Sequence, residues 1–100
     1  MQAGLTQVFL VVEPMALVAE DLADLLREAS PRAEVHICAD ARAAVPLLAG
    51  LTRLTAAFVN LAPTQAEQSG LIAGISALKG RCVSLWEPAE PRRDWLQMAL

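Results

Sequence analysis

The segment QVFLVVEPM (residues 7–15) contains an unbroken apolar run at positions 9–12, rich in branched side chains. Such a run is typical of a parallel β-strand covered on both faces, because neither face meets water. The run stops at Glu13-Pro14, where a helical pattern begins. An acidic residue at the end of a buried parallel strand lies at the edge where open α/β sheets hold their ligands. We therefore expect Glu13 and its neighbours to determine the function.

Composition and charge limit the classes of protein to which the chain can belong. Its 100 residues suffice for one domain, residues 1–100, with one hydrophobic core. Hydrophobic residues make up 55% of the chain, which suits a compact globule and also one with surplus apolar surface to bury against a partner protein. The net charge of −3 and the scattered basic residues argue against nucleic acid as a partner. No apolar run approaches the roughly 18 residues that span a bilayer, so we expect a cytoplasmic protein with no membrane partner.

Strand and helix patterns alternate along the rest of the chain. The predicted strands are residues 9–12, 33–38, 55–60 and 81–86, and the predicted helices are residues 15–29, 40–49, 64–79 and 91–100. This βα alternation predicts an α/β fold with a parallel sheet and helices on both faces. The expected strand order is 2-1-3-4, a flavodoxin-like arrangement shortened to about four βα units. It places Glu13, Pro14 and Asn60 together at one edge of the sheet.

Three local patterns add detail to this prediction. Thr64-x-x-Glu67 has the form of a capping box, which predicts a helix start at Thr64. Cys38 and Cys82 fall in separate predicted strands without metal or redox spacing, so we expect two buried, reduced thiols. One apolar stripe of the first predicted helix is expected to face the core. Its members are Val18, Leu22, Leu25 and Ala29, with Leu26 beside them.

Three parts of the chain together resemble the receiver domain of bacterial two-component response regulators. VFLVVEP (8–14), followed by an acidic helix, resembles the family's first strand, which ends in acidic residues. AFVNLAP (57–63) resembles its third strand and phosphoacceptor loop, and EPAEPRRDWLQMAL (87–100) resembles its closing Lys-Pro turn and last helix. The chain has one βα unit fewer than the family. Either the fourth helix and fifth strand are missing, or the fourth strand serves as the last one.

The residues that perform phosphoryl chemistry in that family are replaced here. A receiver holds Mg²⁺ with an acidic cluster, accepts phosphate on an Asp and pairs the phosphoryl group with a Lys. Glu13 corresponds to one of the two acidic positions of the receiver motif, and Pro14 corresponds to the other. Glu87 corresponds to the position of the Lys. The phosphoacceptor position falls on Asn60 or, in another register, on Phe58. An amide is too weak a nucleophile for acyl phosphate formation, and one carboxylate is a poor Mg²⁺ site. The resemblance thus implies a vestigial pocket with no metal, no cofactor and no enzymatic activity.

Two functional hypotheses follow from the sequence. The first is a phosphorylation-independent interaction module in bacterial signalling, whose protein partner is a signalling kinase or an output protein. It is expected to form a homodimer through an interface of Trp86, Trp95, Leu96, Met98 and Leu100. The alternative is a small-molecule sensor that uses the crevice near Glu13 and Asn60. An enzyme ranks below both, because no nucleotide-binding motif and no nucleophile at a strand-to-helix elbow is present.

Overall fold

A computed structural model describes residues 6–86 of the chain. The strands are β1 (Val8–Val12), β2 (Glu34–Cys38), β3 (Ala56–Val59) and β4 (Arg81–Ser84). The helices are α1 (Ala16–Ala29), α2 (Ala41–Ala49), α3 (Pro63–Gln68) and α4 (Leu71–Ala77). The helix predicted at residues 91–100 lies outside the described residues. Within residues 6–86, no helix is long and apolar enough to cross a membrane.

The four strands form one parallel sheet in the order β2-β1-β3-β4, which confirms the predicted fold class and strand order. β1 is central, and all of its residues are buried, as the unbroken apolar run indicates. The arrangement is that of a flavodoxin-like α/β fold. Because all strands are parallel, the residues that follow β1 and β3 meet at the same edge of the sheet.

The larger part of the core lies between the sheet and the helices α2 and α4. Alternate residues of a strand point to opposite faces, so Leu10 and Val12 of β1 lie on the α2–α4 face. There they pack against Leu71 and Ile75 of α4, both of which are buried. Asp40 caps α2, since its carboxylate accepts a hydrogen bond from the Ala43 N–H at 2.9 Å.

Small residues of α1 contact the opposite face of the sheet. Ala19 and Ala23 are fully buried, and Leu22 is half-buried. Val18 is 42% exposed and Leu25 is 61% exposed. The prediction that this stripe faces the core is therefore wrong for Val18, Leu25 and Ala29, which are exposed, whereas Leu22 and Leu26 are half-buried. α1 has two adjacent apolar stripes, and the one with alanines allows the closer approach to the sheet.

The segment between β3 and β4 forms two short helices instead of the predicted single one. α3 begins at Pro63, where the missing N–H of proline costs nothing because the first turn has no internal acceptor for it. Thr64 therefore lies inside the helix, and its predicted role as a cap is wrong. Gly70 separates α3 from α4 with a φ of 85°, a left-handed conformation that glycine adopts without steric cost.

The two cysteines lie on the outer strands of the sheet, and both are free thiols. β1 and β3 separate the strand of Cys38 from the strand of Cys82. Cys38 is buried as expected, but the expectation that Cys82 is buried is wrong. β4 has only one neighbouring strand among the described residues, and all of its residues are exposed.

The approach of Gly80 to Leu54 gives a test of the packing beside β4. A Cβ at Gly80 would lie 2.7 Å from Leu54 Cδ2 and 3.1 Å from Leu54 Cβ, which is too close for the buried leucine to move aside. Gly80→Ala should therefore lower the free energy of unfolding by about 1–3 kcal/mol. At Gly50 the nearest atom to an added Cβ lies 3.6 Å away. The control Gly50→Ala should be neutral or stabilise by up to about 1 kcal/mol. Urea unfolding measures both values, and equal effects would contradict the packing described.

Candidate functional site

Glu13 follows β1 directly and is the buried charged residue of the described structure, with 4% of its surface exposed. Its backbone N–H donates to the carbonyl oxygen of Cys38 at 3.0 Å, which extends the pairing of β1 with β2 by one residue. This backbone bond fixes the position of the carboxylate below the protein surface. Burying a carboxylate costs free energy unless hydrogen-bond donors replace the lost water.

Two hydrogen-bond donors from different parts of the chain offset the cost of burying the Glu13 carboxylate. Oε1 accepts a hydrogen bond from the side-chain amide Nδ2 of Asn60 at 2.8 Å. Oε2 accepts one from the backbone N–H of Met15 at 3.0 Å, in the turn that leads into α1. We call this arrangement of Glu13, Asn60 and the Met15 N–H the clasp. It connects the end of β1 to the end of β3 and to the start of α1.

The backbone of Asn60 is fixed independently of its side chain. Its N–H donates to the carbonyl oxygen of Val12 at 2.8 Å, which continues the β1–β3 pairing beyond Val59. The amide therefore reaches Glu13 from a rigid position. Within residues 6–86, every buried side-chain nitrogen or oxygen has a hydrogen-bond partner. The clasp is thus a complete polar network.

The structure brings together only some of the residues predicted for the vestigial pocket. Pro14 is exposed beside the clasp. Phe58 lies within β3, and its ring packs against Phe9 on the α1 face, with centroids 6.2 Å apart at an angle of 51°. Of the two candidates for the phosphoacceptor position, Asn60 is therefore the one beside the carboxylate. Glu87 lies outside the described residues.

The clasp leaves little capacity for phosphoryl or metal chemistry at this edge. Each oxygen of Glu13 already accepts one hydrogen bond, so a cation would have to share this carboxylate with two protein donors. Among residues 6–86, no three His, Cys, Asp or Glu side chains are grouped closely enough to hold a metal ion. The His36 ring contacts the carboxylate of Glu34. The arrangement favours a structural role for Glu13.

An apolar cavity of about 260 Å³ lies near the same edge, between β3, β4, α3 and α4. Sequence patterns do not reveal it, because it forms where short side chains of four separate elements meet. It is lined by Val59, Leu61, Pro63, Ala66, Glu67, Ile72, Cys82 and Ser84. Partial burial raises the pKa of the Cys82 thiol above its usual value. The thiol is therefore protonated at neutral pH and is a weak nucleophile.

The Cys38 thiol, like that of Cys82, is a weak nucleophile. Burial and, secondly, the nearby carboxylate of Asp40 raise its pKa above the usual value. Both effects disfavour the thiolate, which is the nucleophilic form. Neither cysteine of the described structure has the features of a catalytic nucleophile.

Removal of the Glu13 carboxylate tests the clasp. Glu13→Ala should lower the free energy of unfolding by about 1–3 kcal/mol, because the Asn60 amide and the Met15 N–H lose their buried acceptor. In Glu13→Gln, rotation of the Asn60 amide would restore both hydrogen bonds, so the loss should stay below about 1 kcal/mol. Chemical denaturation of the three proteins provides the comparison. Equal losses in the two variants would contradict the hydrogen-bonding pattern.

A second test replaces the donor at Asn60 by an acceptor. In Asn60→Asp, a carboxylate oxygen would replace the amide Nδ2 that now lies 2.8 Å from Glu13 Oε1. Two ionised carboxylates at this distance would repel each other strongly. The folded variant should therefore keep one proton that the unfolded chain releases. Its free energy of unfolding relative to the wild type should fall as the pH rises from 5 to 8, because the folded state binds more protons. The control Asn60→Ala should show a pH-independent loss over that range. If the free energies of unfolding of the two variants changed with pH in the same way, the Glu13–Asn60 hydrogen bond would be contradicted.

Comparisons with protein families, with curated proteins and with solved structures returned no match for the chain.

Proposed function

We propose that the chain is a phosphorylation-independent, receiver-like interaction module of bacterial signalling that binds protein, self-associates and catalyses no reaction. The clasp is the observation that supports this proposal most directly. At the edge where open α/β sheets commonly hold ligands, the carboxylate of Glu13 is buried and bonded to the amide of Asn60. A buried carboxylate whose two oxygens are both held by protein donors stabilises the fold, and a reaction there would disturb those hydrogen bonds.

The clasp also gives the domain one constant shape. It connects β1, β3 and the start of α1 through two hydrogen bonds that require no ligand. A switch needs an element with two arrangements whose balance a ligand changes. With both carboxylate oxygens bonded, this edge favours a single arrangement, as expected for a module whose binding surface is always available.

The exposed edge of β4 offers such a binding surface. Arg81 and Leu85 donate their N–H groups to β3, at 3.2 and 2.8 Å. Parallel pairing alternates along a strand, so the backbone groups of Cys82 and Ser84 point away from β3. An edge with free backbone groups can add a strand from another chain. Leu85 and Trp86 provide exposed apolar surface beside it.

The other edge of the sheet is less suited to pairing. β2 carries Glu34 and His36, whose side chains contact each other at the sheet surface. Charged side chains on an edge strand oppose the approach of a second strand. β4 carries one charged residue, Arg81 at its start. The described structure therefore favours β4 as the edge that accepts a partner.

Self-association at β4 has a simple geometry. A two-fold axis, the commonest symmetry of soluble oligomers, would pair β4 antiparallel with β4 of a second copy. Trp86 lies at the end of that edge and is exposed. The other predicted interface residues are Trp95, Leu96, Met98 and Leu100, which lie outside the described residues. A signalling kinase or output protein would compete for the same edge.

The alternative, a small-molecule sensor near Glu13 and Asn60, receives less support. A ligand in that crevice would have to open the clasp, because the two polar side chains are bonded to each other. Protein binding at β4 needs no such rearrangement.

Proline substitution at the edge tests self-association. Ser84→Pro removes an N–H that points away from β3, so it should block strand addition while the sheet stays intact. The matched control Ser84→Thr keeps the N–H and suits a strand. At micromolar concentration we expect wild type and Ser84→Thr to sediment as dimers and Ser84→Pro as a monomer. Acetyl phosphate with Mg²⁺ should change neither the mass nor the sedimentation of the wild type. A wild-type monomer at all concentrations, or a phosphoryl adduct, would contradict the proposal.

A further inference from the structure

We infer that the apolar cavity between β3, β4, α3 and α4 is a binding site for a small, neutral aromatic molecule that carries one hydrogen-bond donor. Neither Glu13 nor Asn60 lines this cavity. The site is therefore distinct from the clasp, and it does not depend on self-association at β4. Three features support the assignment: the walls of the cavity, its volume and the polar groups at its surface.

The floor of the cavity is formed by β3 and the edge strand β4. Val59 is in register with Ser84, and Cys82 precedes Ser84 by two residues, so all three side chains point to the α2–α4 face. Val59 is buried, whereas Cys82 and Ser84 are exposed. Because the side chains of Cys82 and Ser84 are short, the space above the end of β4 is left open among residues 6–86.

The roof of the cavity is divided between the two short helices. α4 packs on β4, whereas α3 packs on α4. Gly70, with its left-handed φ of 85°, separates the two helices, so no single helix covers the end of β4 within the described residues. α4 contributes Ile72 to the lining, and α3 contributes the small side chain of Ala66. The cavity thus results from the break between the helices and from short side chains. A site formed in this way needs little rearrangement to accept a ligand.

The volume of the cavity sets the size of its ligand. A cavity of about 150 Å³ with aliphatic walls holds one benzene molecule. At the same packing, the volume of about 260 Å³ found here accommodates roughly ten non-hydrogen atoms. This size fits one ring with a short substituent or two fused rings, and it excludes a nucleotide. A rigid ring also loses less conformational freedom on binding than a flexible chain of the same size.

The apolar walls favour such a ring over water. Val59, Leu61 and Ile72 line the cavity and offer no side-chain hydrogen bonds. A buried water molecule needs two to four polar partners, roughly three on average. Replacement of weakly bound water by an apolar group increases affinity.

The polar groups at the cavity select a neutral ligand with a donor. Ser84 Oγ and the carboxylate of Glu67 belong to the lining, and both can accept a hydrogen bond. None of the described residues that line the cavity is basic, so an anionic ligand would face Glu67 without a compensating positive charge. A cationic ligand would lose its hydration against the apolar walls. A neutral ring with one N–H or O–H group avoids both costs.

Heteronuclear NMR of the full chain, with indole as the probe, tests the assignment. Indole is a neutral ring of two fused cycles with one N–H donor. We expect saturable shifts of the amide resonances of Ala66, Ile72 and Cys82, with a dissociation constant of about 0.1–1 mM. Benzoate, which has as many non-hydrogen atoms but a negative charge, should bind about tenfold more weakly. Shifts centred on Glu13 and Asn60, or no saturable shifts, would overturn the inference.

A larger side chain on the floor of the cavity provides a second test. Ser84→Leu should weaken indole binding by about tenfold or more, because the added atoms occupy the ligand's space. Ser84 is exposed, so the substitution leaves the hydrophobic core unchanged. Ser76→Leu makes the same change at an exposed position of α4 outside the lining, and it should not alter the affinity. Equal dissociation constants for the two variants would overturn the inference.

The selectivity for a neutral ligand is tested at the exposed residue Glu67. Glu67→Gln removes the charge and keeps an acceptor. It should leave indole binding nearly unchanged and strengthen benzoate binding several-fold. If the ratio of the two dissociation constants stays as in the wild type, the assignment of a neutral ligand is wrong.

Sedimentation of the same samples separates this inference from the proposed function. Indole binding at concentrations where the protein is monomeric supports the site, even if no dimer forms at any concentration. Indole binding that develops only as a dimer forms would show that a second copy completes the cavity, and it would overturn the assignment to a single chain.

Discussion

The rest of the structure depends on the burial of the Glu13 carboxylate. A charged group out of water requires donors at short distance, and the cost of leaving it unpaired exceeds the worth of most single contacts in a domain of this size. The Asn60 amide and the Met15 N–H meet that requirement at 2.8 and 3.0 Å. The Glu13 carboxylate therefore connects the end of β3, which backbone pairing with β1 already holds in place, to the entry of α1. Because β1 is central, this constraint reaches both neighbouring strands.

The same hydrogen bonds limit the chemistry of the site. A carboxylate that exchanges partners during a reaction would here leave the Asn60 amide or the Met15 N–H without its acceptor. An amide at position 60 suits the clasp because it donates to Glu13, whereas a second carboxylate would repel it. A stable edge thus requires a hydrogen-bond donor at position 60, whereas phosphoryl chemistry requires a carboxylate there. Asn60 provides the donor and therefore favours stability.

The sequence predicts those features that depend on one element or on topology alone. The apolar run of β1 and the βα alternation are sufficient for the fold class and for strand order 2-1-3-4, and this order implies that Glu13 and Asn60 are neighbours. The face of α1 that contacts the sheet is not predictable in the same way. Val18 and Ala19 belong to two adjacent apolar stripes, and only the distance between helix and sheet selects the alanines. The apolar cavity beside Leu61 likewise depends on four elements whose spacing the sequence does not encode locally.

The failure of the α1 prediction has a physical explanation that connects fold and function. A helix that covers one side of a sheet alone needs a single broad apolar face, with its largest side chains at the centre. In α1 the fully buried positions are alanines, while Val18 and Leu25 lie to the side. Large apolar side chains at that position are stabilised only when another element packs beside the helix, because they gain little from the sheet itself. Within residues 6–86 the pattern therefore leaves an apolar stripe of α1 exposed beside the sheet, while the alanines make the contact with it.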